Sequence, residues 1–484
     1  MHVKKYSVGV KADLFCIFTF EGETPPSPAL PEAEAVIARL LSMPGDGGEK
    51  GSRRTAPLPG KEAGALMLAG LGKRPDKASA KISAYRNQTA ECVRFAASLG
   101  YSSVIAQLPE EPDQAASRAS AEGAVLGGYL FDRHKTLERG APRTEPEAFM
   151  LCEGDEDAMK RGALAAEAQT FSRDLANEPG NVVTPTTFAE IAQRTAEEFG
   201  LECKILDETG MADLGMNALL AVGQGSKNPP RLVHLVYRPD EEPRARVALV
   251  GKTVTFDSGG LCIKTRDGIK GMKTDKTGGC NVLAIMRALG QIRPPVEVHG
   301  IMGAVENMPD GGAFRPDDII KTMSGKTIEI LNTDAEGRLT LADLLTYACR
   351  TAPDSLIDMA TLTGAAVWAL GNYTAALVSD HDGLSAQISE AAERAGERFH
   401  RFAMDDEKLR EQIKSEVADF TNSGGPGGGV ITAGMLLREF VDPVVPWAHL
   451  DIAAVARYDK EFDCYGKGAS AFGTRACLEY ILSI

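Results

Sequence analysis

Apolar positions along the chain fall into two patterns, short unbroken runs and longer stretches with helical spacing. AGALMLAGLG, residues 63–72, is an unbroken run closed by glycine and predicts a buried strand. Residues 76–100 repeat apolar positions at helical spacing and stop at a glycine, which predicts a helix. SSVIAQLP, residues 102–109, is again strand-like, and residues 115–132 predict a helix whose small residues permit close packing. The first twenty residues read as a first strand, without the apolar core and small-residue cleavage site of a signal peptide. Residues 23–60 are rich in proline, glycine and charge around one helix, and residues 145–157 turn acidic and irregular before a helix at 158–175.

Beyond that point strand and helix alternate. ARVALVG (245–251), VEVHGIMGAV (296–305), SLIDMATL (355–362) and WAHLDIAAV (447–455) predict strands, while residues 280–292 and 339–351 predict helices. Such alternation points to an α/β sheet with helices on both faces. With 484 residues the chain exceeds what one core usually serves, so two domains are expected, 1–157 and 158–484.

Composition narrows the function. A formal net charge of -14 speaks against nucleic acid or an acidic membrane as the main partner. No stretch approaches the ~18 unbroken apolar residues of a membrane span. Nine scattered cysteines without a CxxC argue against a disulfide framework or thiolate zinc site and for a reducing cytoplasm.

Two segments concentrate charge. NTDAEGRLTLAD, residues 332–343, places Asp334, Glu336 and Arg338 at every second position. On an extended backbone these point one way, as a metal site with an anion-binding neighbour or as a solvated salt-bridge ladder. The second segment, residues 251–279, follows the strand ARVALVG and carries Lys252, Asp257, Lys264 and Asp275 among glycines, where open α/β sheets bind ligands. HExxH, GxSxG and GxxxxGK[ST] are absent, and the seven histidines are dispersed. His449, in an apolar strand, reads as a core histidine. If the two segments meet, the carboxylates of Asp257, Asp275, Asp334 and Glu336 exceed what one divalent cation needs, and two cations balance them.

NTDAEGRL is the signature of the leucyl aminopeptidase family of two-metal exopeptidases, which this sequence resembles. The resemblance continues through VGK..TFDSGG, MK.D, ENMP, GKTIE, ATLTGA and PWAHLDIA and covers nearly all of residues 171–484, the N-terminal third matching loosely. It implies a macro-domain-like N-terminal α/β domain and a C-terminal α/β/α catalytic domain with a mixed central sheet. It further implies that Asp257 and Glu336 bridge two divalent ions (Mn²⁺ or Zn²⁺), that Asp334 completes one site, and that Lys252 and Asp275 complete the other. Lys264 would stabilise the oxyanion, and Arg338 would hold a bicarbonate that relays a proton from the metal-bridging hydroxide to the leaving amine. Met272, Thr361 and Gly364 would line a leucine-preferring side-chain pocket. Peptides with a free N-terminus would be the substrates, and a cytoplasmic homohexamer the assembly.

The sequence departs from the family pattern in two places. GKG becomes Gly251-Lys252-Thr253, and the Met, small residue, Gly and Ala that follow the metal-binding aspartate become Lys276-Thr277-Gly278-Gly279. A lysine beside a ligand would add positive charge near the cations if it pointed inward; on an extended chain it points away. Two alternatives stand beside the peptidase: a hexameric scaffold or DNA-binding regulator with weak or lost catalysis, and another two-metal hydrolase such as a phosphatase.

Overall fold

The computed structural model describes all residues except 61, 137–145 and 426. Glu145 of the irregular stretch thus lies outside the described residues. The chain divides into two compact units, Met1–Thr170 with Asp459–Lys467, and Phe171–Tyr458 with Gly468–Ile484. The division falls within the helix Glu156–Asn177, near whose start the sequence places its domain boundary.

In the first unit, β1 (His2–Lys5), β2 (Ala12–Thr19), β3 (Arg53–Pro57), β4 (Ala63–Gly70), β5 (Ser103–Gln107) and β6 (Ala148–Leu151) form a sheet in the order β1-β6-β5-β2-β4-β3. All pairs are parallel except β3 with β4. The first twenty residues therefore make two strands rather than one: a turn through Gly9, at φ 91°, breaks the run, and β1 and β2 pair with different neighbours. Both sheet faces are covered. Leu14, Cys16 and Phe18 of β2 pack with Tyr85, Val93 and Ala96 of the helix Ala78–Ser98. Phe15 and Ile17 pack with Val36, Ile37 and Leu40 of the helix Ala33–Leu41, the helix expected inside the proline- and glycine-rich stretch.

The second unit contains β7 (Glu202–Leu206), β8 (Arg231–Tyr237), β9 (Arg246–Asp257), β10 (Glu297–Asn307), β11 (Ile319–Lys321), β12 (Thr327–Glu329), β13 (Ser355–Ala360), β14 (Ala375–Val378), β15 (Phe399–Phe402), β16 (Phe420–Thr421) and β17 (Trp447–Asp451). Eight of them form a mixed sheet in the order β15-β14-β17-β13-β9-β10-β8-β7, and β11, β12 and β16 a small sheet. Strands β10, β9, β13 and β17 run parallel, so their carboxyl ends share one edge. β10 is buried along its whole length and β9 nearly so, which is why these segments read as apolar runs rather than alternating ones. Helices cover both faces: Lys252 of β9 lies against Gly337 of the helix Glu336–Cys349, and the next residue, Thr253, lies against Gly279 of the helix Thr277–Ile292.

A β-bulge sets the site. The register between β9 and β10 pairs Val254 with Val305 and then Phe256 with Glu306, leaving Thr255 as an extra residue. Lys252 and Asp257 are five residues apart, an odd separation that puts side chains on opposite faces of a regular strand. The extra residue switches the alternation once, and both side chains turn to one cavity.

Candidate active site

At the shared edge, a cavity of about 310 Å³ is lined by Lys252, Asp257, Lys264, Met272, Asp275, Asp334, Glu336, Thr361 and Gly364. The two charged segments therefore meet. Oxygens of Asp257, Asp334 and Glu336 lie within 4.8 Å of one another. Lys252 Nζ is 2.8 Å from Asp275 Oδ2 and 2.8 Å from Glu336 Oε1. Lys264 Nζ is 2.8 Å from Asp257 Oδ2 and also pairs with Asp334. Arg338 stands apart from the cavity wall; its Nη1 donates to the Asn422 carbonyl.

The local structure differs from the extended reading of residues 332–343. Asn332 accepts from the Asp334 amide through its side chain and starts a 3-10 turn, Thr333–Ala335, which runs directly into the helix at Glu336. Asp334 and Glu336 converge because a tight turn enters a helix N-terminus, not because of strand alternation. That end of a helix favours negative charge. Asp275 likewise sits in a 3-10 turn, Met272–Lys276.

Several residues that position the charges escape a reading of charged motifs. Asn307, at the end of β10, donates to Asp257 Oδ1 at 2.9 Å and to the Thr333 carbonyl at 3.0 Å. Thr333 Oγ1 donates to the Gly259 carbonyl at 2.6 Å and accepts from the Cys262 amide at 2.8 Å, bolting the two segments together. Thr361, read from sequence as a pocket residue, also donates its hydroxyl to Asp275 Oδ1 at 2.6 Å. Asn422 Oδ1 accepts from the Leu331 and Asn332 amides at 2.9 and 3.3 Å, and its Nδ2 donates to the Asn332 carbonyl at 2.6 Å. The only sequence signal was the asparagine within ENMP. His449 is fully buried, with Nδ1 2.6 Å from Asp358.

The electrostatics are those of a site lacking counter-charge. Burial, reinforced by the Asp257 charge and opposed by Lys252, pushes Glu336 up to about 8. Burial also raises Asp275, to about 6, against the pull of Lys252. Asp334 is raised as well, chiefly by burial. Burial disfavours the Lys252 charge, but Asp275, Glu336 and Asp257 outweigh it and hold the ammonium above its ordinary pKa. Glu336 Oε2 is buried with no hydrogen-bond partner among the described residues. An orphaned carboxylate oxygen in a nest of four acids fits a divalent cation.

Comparison with known proteins agrees with this geometry. The model of the cytosol aminopeptidase family, catalytic domain, matches residues 170–478, and that of the family's N-terminal domain matches residues 17–137. The chain belongs to the cytosol aminopeptidase family. It is 46% identical to a probable cytosol aminopeptidase of Aquifex aeolicus over 100% of this chain and 97% of the relative. One from Nostoc punctiforme is 42% identical over 88% and 86%. Among solved structures, a tomato leucine aminopeptidase mutant superposes with a TM-score of 0.86 at 32% identity, covering 100% of this chain and 96% of that one. The bottromycin maturation enzyme BotP in complex with Mn does so with a TM-score of 0.86 at 35% identity, over 98% and 99%. The protein is thus a metal-dependent aminopeptidase acting on peptides, with the mixed α/β architecture expected from its sequence. Among the described residues, no helix is long and apolar enough to cross a membrane.

The departures from the family pattern acquire a physical account in this aminopeptidase. Lys276 is fully buried and donates to the Glu178 carbonyl at 2.8 Å and to the Lys273 carbonyl. Its charge is spent on main-chain acceptors rather than on the carboxylate cluster, and burial lowers it to about 8. Thr253 and Gly279 compensate one another. A Cβ on Gly279 would lie 2.0 Å from Thr253 Oγ1, so threonine at 253 requires the family's alanine at 279 to be absent. Gly279→Ala is expected to destabilise the protein by about 1–3 kcal/mol through overpacking. Adding Thr253→Gly is expected to recover most of that loss. Urea unfolding of the two single variants and the double variant checks this; additive effects would refute the coupling.

Proposed function

We propose that the chain removes leucine-like residues from the free N-terminus of peptides at a two-metal centre. The observation that supports this best is the convergence of Asp257, Asp334 and Glu336 within 4.8 Å, with Lys252 2.8 Å from both Asp275 and Glu336. Asp257 and Glu336 would bridge the ions, Asp334 would complete one site, and Lys252 with Asp275 would complete the other. Two divalent cations so held supply Lewis acidity, an anchor for the α-amine and a bridging hydroxide as nucleophile. Manganese is a reasonable first choice, given the structural relative in complex with Mn.

The protein's own residues divide the remaining work. Lys264, drawn toward Asp257 and Asp334 and held charged by them, donates to the carbonyl oxygen as negative charge develops there. Arg338, tethered at Nη1 by Asn422, offers the rest of its donor fork to bicarbonate. Met272, Thr361 and Gly364 border the side-chain pocket, together with Leu362, Val367 and Ala453. A cytoplasmic homohexamer is the assembly we propose. The scaffold or DNA-binding alternative drew its support from Lys276, whose side chain engages backbone carbonyls instead of the cluster.

The test is hydrolysis of leucine p-nitroanilide by metal-stripped protein, with Mn²⁺ or Zn²⁺ restored, beside an N-acetylated analogue. Metal-dependent cleavage of the free-amine substrate alone is expected. Cleavage of the blocked analogue at a similar rate would overturn the amine anchor, and activity in the stripped protein would overturn the metal centre.

A further inference from the structure

Three cations border the catalytic cavity: Lys252, Lys264 and Arg457. The first two pair with the carboxylate cluster, whereas Arg457 belongs to the opposite, apolar part of the wall, next to Ala456. Its guanidinium lies over the backbone of Gly271, which has φ +87°: a Cβ on Gly271 would come 1.8 Å from Arg457 Nη1. Nη1 also donates to the Lys270 carbonyl at 3.3 Å. Gly271 immediately precedes Met272, so the guanidinium is seated beside the side-chain pocket itself. Ala453 and Ala456 line the same wall with single methyl groups and leave depth in front of the arginine.

We propose that Arg457 is a specificity-determining residue that admits an acidic side chain, above all glutamate, at the N-terminal position of the substrate. The inference rests on the aminopeptidase reading of the site. The cavity is electrostatically two-ended. Its acid-rich end takes cations and the substrate's amine, and its far wall carries a guanidinium. A glutamyl residue matches this polarity. Its methylenes would pack on Met272 and Leu362, and its carboxylate would meet the planar donor fork, a pairing that arginine makes in bidentate form. A leucyl side chain uses the same apolar wall but leaves the guanidinium without a carboxylate to bind.

The experiment compares leucine, glutamate and glutamine p-nitroanilides with manganese-loaded wild type, Arg457→Met and Arg457→Lys. Wild type is expected to cleave the glutamate substrate faster than its neutral isostere, glutamine. Arg457→Met is expected to lower the ratio of kcat/KM for glutamate over leucine by roughly 10–100-fold, mostly through KM, and Arg457→Lys to restore part of it. The proposal is overturned if wild type cleaves leucine but not glutamate, or if Arg457→Met leaves the ratio unchanged. A parallel fall on all three substrates would likewise reduce Arg457 to a structural role. If wild type cleaves none of the three, the aminopeptidase reading itself fails, a result distinguishable from a failure of Arg457 alone.

Discussion

Replacing Glu336 by glutamine is expected to lower turnover of leucine p-nitroanilide on the order of 10³-fold, about 4 kcal/mol in the barrier at 1.36 kcal/mol per decade. Metal content is expected to fall from two ions per chain to one or fewer. The substitution keeps the shape of a side chain that is 1% exposed, so packing is preserved. What it removes is a carboxylate charge at the point where the two ion sites are proposed to share a ligand, and it directs an amide N–H₂ into a cluster that needs acceptors. Stability separates this loss from misfolding. Burial and the Asp257 charge already disfavour the ionised form of Glu336, so the metal-free variant should melt no lower than metal-free wild type near neutral pH. Turnover within tenfold of wild type, or a melting temperature lowered by many degrees, would overturn the assignment of Glu336 as a shared ligand.

The sequence carried the fold where burial dictates residue type. β9, β10, β13 and β17 are buried strands and read as apolar runs, and the helices Ala78–Ser98 and Thr277–Ile292 announced themselves by periodicity. What governs the exact placement of the charges was less legible. Parity along β9 sends Lys252 and Asp257 apart, and only the bulge at Thr255 reunites them, a feature set by pairing with β10 rather than by local residues. The 3-10 turn before Glu336 was missed because it depends on Asn332 capping Asp334, and alternating charges suggested a strand. Asn307 and Asn422 act across 50 and 90 residues of chain, on Asp257 and Asn332, so nothing near them in sequence marks their task. Thr253 and Gly279 looked like two separate departures from a family pattern. In three dimensions they are one exchange of volume between a strand and the helix packed on it.

Metal uptake is expected to release protons, and affinity to fall steeply as pH is lowered. In the metal-free protein, the Lys252 ammonium is the counter-charge for Asp275 and Glu336, 2.8 Å from each. A cation that takes over this role leaves the ammonium without its stabilising partners, and an amine can ligate only after losing its proton. That is one proton across the neutral range. Glu336, at about 8, and Asp275, at about 6, add to the count as pH falls through each value. The logarithm of the affinity should therefore rise with pH by about one per unit above pH 8 and by about two between pH 8 and 6. Over that interval the affinity should change by roughly 100-fold. Isothermal titration calorimetry with Mn²⁺ at pH 7, in two buffers of different ionisation enthalpy, counts the protons directly. Stability carries the same linkage with opposite sign. Both carboxyls have folded pKa values above their unfolded ones of about 4, so their contribution to the metal-free protein is fully present below pH 4 and is lost as pH rises through 6 and 8. Metal then stabilises the fold more at pH 8 than at pH 6, which thermal melts with and without Mn²⁺ would register. A proton count of zero at pH 7 would mean that Lys252 keeps its charge beside the cations, and would remove it from the ligand set.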